Sequence, residues 1–353
     1  MSERDNSQLP LERLVAPIWE GDSVFNESAL PIADLSGTPC PIALLYRADE
    51  IESVRSATLE STYEPGRDYR LEGGRLVIPA GSRIPVMAYR EYYLQKEDKD
   101  RSFAHSVCGH IRFGEGDFFH RRQICVSYRH SDTWPFPVPA SKARLLPRTE
   151  AALTSGENTR LLIFGDSIST GVNASGAVGA PPFQLPWYDL AAEALRRRGA
   201  DVTLLNTSVG GMTSDWGRDT ARENGAQQRP DLCVIAFGMN DGSMRKTPRD
   251  FIANIREMMD VISRENPLCE YILVATTLAN PEVGGFAGLQ RDYLEPLLAL
   301  EKTGVAVMDM TTMHGSLLAR KPFRDMTGNN VNHPNDFLSR IYAQTLLRTL
   351  GII

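Results

Sequence analysis

Four short blocks of this sequence carry residues whose types and spacing could do chemistry. The first is Gly165-Asp166-Ser167, directly after the apolar run Leu161–Phe164. A serine on a glycine-assisted turn behind a buried strand projects its hydroxyl at the carboxyl edge of a sheet, where open α/β sheets bind ligands. The second block is Asn206-Thr-Ser-Val-Gly-Gly-Met-Thr213. A glycine there lets a backbone N–H approach a ligand oxygen with no side chain in the way. The third is Phe237-Gly-Met-Asn240-Asp241, whose side-chain amide can donate to a developing oxyanion. The fourth is Asn330-Val-Asn-His333-Pro-Asn-Asp336, whose imidazole could return to the serine as general base. Such a set can attack a carbonyl carbon and stabilise the oxyanion that forms.

The elements that must position these blocks alternate in kind. Strands are expected at Leu161–Phe164, Val202–Asn206, Asp231–Phe237, Tyr271–Thr276 and Val305–Met310. Helical patterns fall at Trp187–Arg198, Asp215–Gln228, Pro248–Arg264, Gly288–Lys302 and about Asp336 to Leu350. Trp187, Leu190, Ala191, Ala194 and Leu195 recur on one helical face. Five short strands with helical crossovers give an α/β fold, a three-layer doubly wound parallel sheet. The Gly- and Pro-rich loop Asn173–Pro186 is long for a βα connection and is expected to wall the site.

The first 140 residues have another texture. Ile42–Arg47, Tyr69–Leu71, Arg75–Pro79, Ile84–Tyr89 and Gln123–Tyr128 read as short strands between turn signals, which argues for a small β-sandwich domain. The expected division is an accessory domain over 1–140, a linker and helix over 141–158, and an α/β domain over 159–353. His105, His110, His120 and His130 lack metal-ligand spacing and read as structural. Trp134 and its flanking prolines could stack on a sugar or pack against the neighbouring domain, and packing is favoured.

Composition sets outer bounds. The 353 residues carry a formal net charge of -6 with 23% charged residues, which leaves no basic footprint for nucleic acid or an anionic membrane. Cys40, Cys108, Cys125, Cys233 and Cys269 show no metal or redox spacing, and Cys233 and Cys269 read as buried thiols. The polar N-terminus MSERDNSQLPLERL has no apolar signal-peptide core, so a cytoplasmic location is expected unless a leader was removed.

The four blocks, in this order and on these elements, resemble the SGNH (GDSL-type) hydrolases, a family of esterases and lipases. The resemblance spans about residues 159–351. It implies a Ser167 nucleophile, a His333 base, and an oxyanion hole from the Ser167 N–H, the Gly211 N–H and the Asn240 side chain. Gly211 fits the family spacing from Asn206 better than Gly210. It implies no metal and no organic cofactor. The family usually has Asp three residues before its histidine; here that position is Asn330. The amide of Asn330 could orient the ring without supplying charge, and Asp325, Asp336 or a backbone carbonyl are alternatives. An appended β domain and the Gly-Asn-Asn-Val-Asn-His-Pro-Asn-Asp run resemble carbohydrate esterases that remove acetyl groups. The expected partner is therefore a small-molecule or oligosaccharide ester, with no nucleic acid and no membrane. A general carboxylesterase, thioesterase or lysophospholipase using the same residues is the alternative. A carbohydrate-binding protein with an inactive hydrolase domain is the alternative of another class.

Overall fold

The computed structural model describes residues 9–353; the first eight residues of the polar N-terminal stretch lie outside it. The C-terminal half is built on five parallel strands: β10 (Thr159–Gly165), β11 (Val202–Asn206), β12 (Leu232–Ala236), β13 (Glu270–Ala275) and β14 (Val305–Asp309), where β1 to β9 belong to the N-terminal region below. Their spatial order is β11-β10-β12-β13-β14. The order reverses at β10, so the crevice at its carboxyl end, between β11 and β12, is the switch point of the sheet.

Side chains along these strands alternate between two cores, as the strand period of two requires. Leu161, Ile163, Leu232, Val234, Ile272, Val274, Ala306 and Met308 enter one core. Leu162, Phe164, Cys233, Ile235, Tyr271, Leu273, Val305 and Val307 enter the other. Both faces are therefore covered, which makes three layers. On the second face lies a long helix, Pro248–Glu265, which buries Phe251, Ile255, Met258 and Ile262 on one stripe. Thr247 caps it by accepting from the Asp250 N–H at 3.2 Å, and Pro248 occupies its first turn. On the first face lie the helices Trp187–Arg197 and Asp336–Thr349.

Two expected helices are shorter than their patterns. Asp215–Gln228 begins as a helix over Ser214–Thr220, widens to a π turn over Ala221–Gly225 and ends in a 3-10 turn. Gly225 lies where a β-carbon would come within 2.7 Å of the Ile262 side chain, so the chain closes tightly on the long helix there. Gly288–Lys302 is a 3-10 turn over Gln290–Tyr293 followed by a helix over Leu294–Leu298. Pro296 explains the restart: it fits a first helical turn and not a helix interior. A helix over Met310–Leu318, absent from the expectation, is capped by Asp309, which accepts from the Thr312 N–H at 2.8 Å.

The N-terminal region holds antiparallel sheets of four, three and two strands. The four-stranded sheet contains β1 (Ser23–Ala29), β2 (Glu50–Ser56), β3 (Thr62–Tyr63) and β9 (Ile124–Arg129), in the order β1-β9-β2-β3. The hairpin is β4 (Arg70–Glu72) with β5 (Arg75–Val77). The three-stranded sheet is β6 (Tyr93–Leu94), β7 (Ser102–Ala104) and β8 (His110–Arg112), with β8 central. The sequence pattern missed β1 because a bulge between Val24 and Glu27, with Asn26 at φ 45°, breaks its alternation. The expected strand Ile42–Arg47 is extended chain with one bridge, Ile42 to Leu76. Its later N–H groups end on side chains: Leu45 on Glu27, Tyr46 on the Tyr128 hydroxyl and Arg47 on Asp132.

The two regions share one apolar core. Leu14, Val54 and Tyr128 belong to the same cluster as Leu161, Trp187 and Leu346. A buried ion cluster crosses the same boundary: Lys321 bonds Glu27 of β1 and lies 3.5 Å from Asp325. Burial opposes the Lys321 charge, but Glu27 and Asp325 outweigh it and hold its titration above the usual range. Among the described residues, no helix is long and apolar enough to cross a membrane.

Candidate active site

The switch point gathers three of the four blocks. Ser167 follows β10, Gly210 and Gly211 follow β11, and Asn240 follows β12. The turn after β10 is held by the Asp166 carboxylate, which accepts from the Ile168 N–H at 3.0 Å, and by the Asp166 N–H on the Ala236 carbonyl. Gly165 is required here by close approach: a β-carbon would lie 2.4 Å from the Ala236 oxygen. Ser167 is thereby left at the rim, 8% exposed. The fourth block returns to it from the loop before the last helix. His333 Nε2 lies 3.0 Å from Ser167 Oγ.

The donors expected around an oxyanion stand at the same rim. The Ser167 and Gly211 N–H groups meet no acceptor among the described residues. Gly211 has φ 77°, and a β-carbon on Gly210 would lie 3.8 Å from that of Ser167. Asn240 donates one amide hydrogen to the Met212 carbonyl at 2.9 Å, which leaves the second free.

The far side of the imidazole differs from expectation. His333 Nδ1 lies 2.8 Å from Asn173 Oδ1, 2.9 Å from Asn329 Nδ2 and 3.4 Å from Glu115 Oε2. The Asn329 amide already donates to Glu115 Oε1 at 3.0 Å and to Asn332 Oδ1 at 3.1 Å. Its hydrogens are thus spent, and the hydrogen on Nδ1 goes to Asn173 or Glu115. This tautomer leaves Nε2 free to accept from Ser167.

Asn330 does not reach the ring. Fully buried, it accepts from the Tyr92 hydroxyl at 2.9 Å and donates to the Arg112 carbonyl at 2.9 Å. Its φ of 69° turns the chain away from the imidazole, a conformation asparagine tolerates. Asp325 accepts from the Leu30 N–H at 2.9 Å, and Asp336 from the Ser175 N–H at 2.7 Å, so neither meets the ring. The ring's partners are side chains, not a backbone carbonyl. Sequence reasoning missed both Asn173 and Glu115. Asn173 opens the loop singled out for its length, and its φ of 67° is the local signal it carries. Glu115 lies in a Gly-Glu-Gly turn of the N-terminal region, with nothing local to link it to a histidine.

The rest of the loop 173–186 is tied down on both sides. Gln184 donates to the Asp336 carbonyl at 2.8 Å, and His120 Nε2 lies 2.7 Å from the Pro181 carbonyl. His130 stacks on Tyr46 with ring centroids 3.8 Å apart, and Trp134 packs beside the same Tyr46.

Asp166 adds a pH dependence. Full burial pushes its carboxyl up to about 7; the Ile168 N–H acts against the rise and the Asp241 charge adds to it. The folded protein therefore keeps a proton that the unfolded chain, near 3.8, releases. Stability from this group is present at low pH and is lost as pH rises from about 4 to about 7. Relative to Asp166→Asn, the parent should lose on the order of a few kcal/mol across that window. Melting curves of both proteins at pH 4.5, 6 and 8 test this; a gap independent of pH would refute it.

Residues 163–340 match the model of the GDSL-like Lipase/Acylhydrolase family. An arylesterase of Vibrio mimicus is 32% identical over 108 residues, 31% of this chain and 50% of that protein. Esterase TesA of Pseudomonas aeruginosa is 32% identical over 98 residues, 28% of this chain and 45% of that protein. The chain thus spans about half the length of the curated relatives it matches. Among solved structures, a two-domain esterase active on acetylated mannans aligns with 21% identity and a TM-score of 0.48, covering 60% of this chain and 54% of that one. An acetylxylan esterase from Geobacillus stearothermophilus aligns with 18% identity and a TM-score of 0.44, covering 55% and 94%. With the family model matched over half the length of the chain, this chain belongs to the GDSL-like Lipase/Acylhydrolase family.

Proposed function

We propose that the protein is a serine esterase that hydrolyses small acyl esters, acetyl above all, of carbohydrate or small-molecule alcohols. The observation that carries this reading is the 3.0 Å contact between Ser167 Oγ and His333 Nε2 at the switch point of the sheet. His333 takes the hydroxyl proton as Ser167 Oγ attacks the ester carbon. The oxyanion falls among the Ser167 N–H, the Gly211 N–H and the free Asn240 amide hydrogen. His333 then gives its proton to the leaving alcohol, and water repeats the sequence on the acyl-serine. No step calls for a metal or organic cofactor. Residues 1–140 act with the 159–353 part rather than beside it, because they border the histidine loop.

Short acyl groups are favoured by what surrounds Ser167. Gly210 stands against the serine, where a β-carbon would lie 3.8 Å from that of Ser167, and the rim residues Gly211 and Asn240 are small or polar, whereas a long acyl chain needs an apolar trough. On 4-nitrophenyl esters, kcat/KM should fall by roughly tenfold or more from acetyl to octanoyl, because the added methylenes gain no apolar burial and must press on polar groups that they would desolvate. Equal or rising activity with chain length would favour the general carboxylesterase, thioesterase or lysophospholipase reading. Comparing an acetylated oligosaccharide with acetates of simple alcohols then tests the alcohol side.

A further inference from the structure

The histidine loop carries no acid for its own imidazole. The structure instead brings a turn of the N-terminal region, Gly114-Glu115-Gly116, against the far side of the ring. We infer that this turn completes the catalytic machinery: Glu115 is the ring's charged partner, and the Gly116 carbonyl aims Asn173 at the same nitrogen. The inference rests on the esterase reading above and deepens it.

Each part of the turn has a defined contact. The Gly116 carbonyl accepts from Asn173 Nδ2 at 2.9 Å. That bond decides which end of the Asn173 amide faces the ring, so Oδ1 stands 2.8 Å from Nδ1. Glu115 uses one oxygen for the Asn329 amide, at 3.0 Å, and presents the other to Nδ1 at 3.4 Å. Asn329 in turn accepts from the N–H groups of Val331, Asn332 and His333 at 2.9, 3.1 and 3.1 Å. One asparagine thus shapes the histidine loop and anchors the carboxylate beside it. Gly116 has φ 71°, and a β-carbon on Gly114 would come within 2.9 Å of the Phe118 ring. Both flanking glycines are therefore needed for the turn to reach the site.

The two partners divide the work of a triad acid. Asn173 holds the ring in the tautomer that accepts from Ser167 but carries no charge. Glu115 supplies negative charge beside the imidazolium that forms when Ser167 loses its proton. Its ionised form is favoured: burial acts to raise the carboxyl, but the His333, Asn329 and Asn173 contacts together hold it below the ordinary value. The polar groups touching the ring are Ser167, Asn173, Asn329 and Glu115. Asp166 lies on the serine's turn, and Asp336 faces the Ser175 N–H across the loop. Glu115 is therefore the ionisable group in contact with the imidazole. It acts through His333 and is a positioning residue, not one that touches substrate.

The test uses the full chain with Glu115→Gln, Glu115→Asp and Ser167→Ala, assayed on 4-nitrophenyl acetate across pH. Rates of the parent and the Glu115 variants are expressed per active site titrated with a reactive phosphonate, and that of Ser167→Ala per mole of folded protein by thermal melting, so that any loss of folded protein does not enter. Glu115→Gln keeps the shape and can still accept from Asn329. It should lower kcat roughly 10- to 100-fold with KM within about twofold. The acidic limb of its kcat/KM profile should differ from the parent's, because the negative charge beside the imidazolium is gone. Glu115→Asp keeps the charge and should retain more activity than Glu115→Gln. Unchanged kcat with an unmoved limb would overturn the inference, as would a rise in KM alone, which marks a substrate contact. Ser167→Ala separates the two claims. If it abolishes turnover while Glu115→Gln is silent, this inference alone fails. If it leaves turnover intact, the esterase reading fails first.

Discussion

Ser167→Ala is expected to lower kcat/KM on an acetyl ester by about four to six orders of magnitude, with the melting temperature nearly unchanged. The size follows from the number of functions lost together. Without Oγ there is no acyl acceptor, and His333 has no proton to take from the enzyme. The three rim donors remain, and they account for the residual rate over water seen when a triad nucleophile is removed. Stability should move by less than about 0.5 kcal/mol. Ser167 is at the rim, and the Thr170 hydroxyl bonds its backbone carbonyl at 2.8 Å, which the substitution leaves in place. Phosphonate labelling gives a second readout. The parent should gain one phosphonyl group by mass, and the variant none. Activity within a few-fold of the parent would remove the proposed mechanism, since no second serine stands within hydrogen-bond distance of His333 Nε2 among the described residues.

The parts of the site visible in the sequence are those marked twice over. Ser167, Gly211 and Asn240 each sit where an apolar run stops and a glycine follows or precedes, so strand end and chemistry are signalled by the same few residues. The five-stranded sheet was visible for the same reason: strands buried on both faces read as continuous apolar runs. The ring's partners were not visible. Asn173 is 160 residues from His333, and Glu115 comes from another sheet system altogether. Their positions follow from how the loop 173–186 and the turn 114–116 pack, which no local pattern encodes. The N-terminal strands suffered from a related difficulty. Buried polar groups such as Glu27, with 0% exposure and three polar partners, occupy places that alternation assigns to apolar residues. Pattern reading counts such a residue as surface.

Asn330→Asp is expected to destabilise the protein by about 3 kcal/mol or more at pH 8 and to recover much of that loss near pH 4.5. A reading of Asn330 as the ring's partner predicts the opposite, an active variant whose added charge helps catalysis. The structure decides through the atoms Asn330 touches. Its Nδ2 donates to the Arg112 carbonyl, and its Oδ1 accepts from Tyr92 and from Asn280 at 3.3 Å. An ionised carboxylate there sets a negative oxygen against a carbonyl oxygen in a site with no solvent access. A protonated carboxyl can donate to Arg112 again and largely restores the network. The new carboxyl therefore titrates above its unfolded value, and the variant's stability falls as pH rises through that range. Activity should follow stability, because Tyr92 and Arg112 hold the histidine loop through this one side chain. Asn330→Ala should lose stability at every pH, by about 1–3 kcal/mol for each buried polar group left unpaired. Thermal melting of both variants from pH 4.5 to 8, with kcat/KM on one acetyl ester, makes the comparison. An Asn330→Asp protein as stable as the parent at pH 8, with equal or higher kcat, would return the residue to the imidazole and displace Asn173 and Glu115 from it.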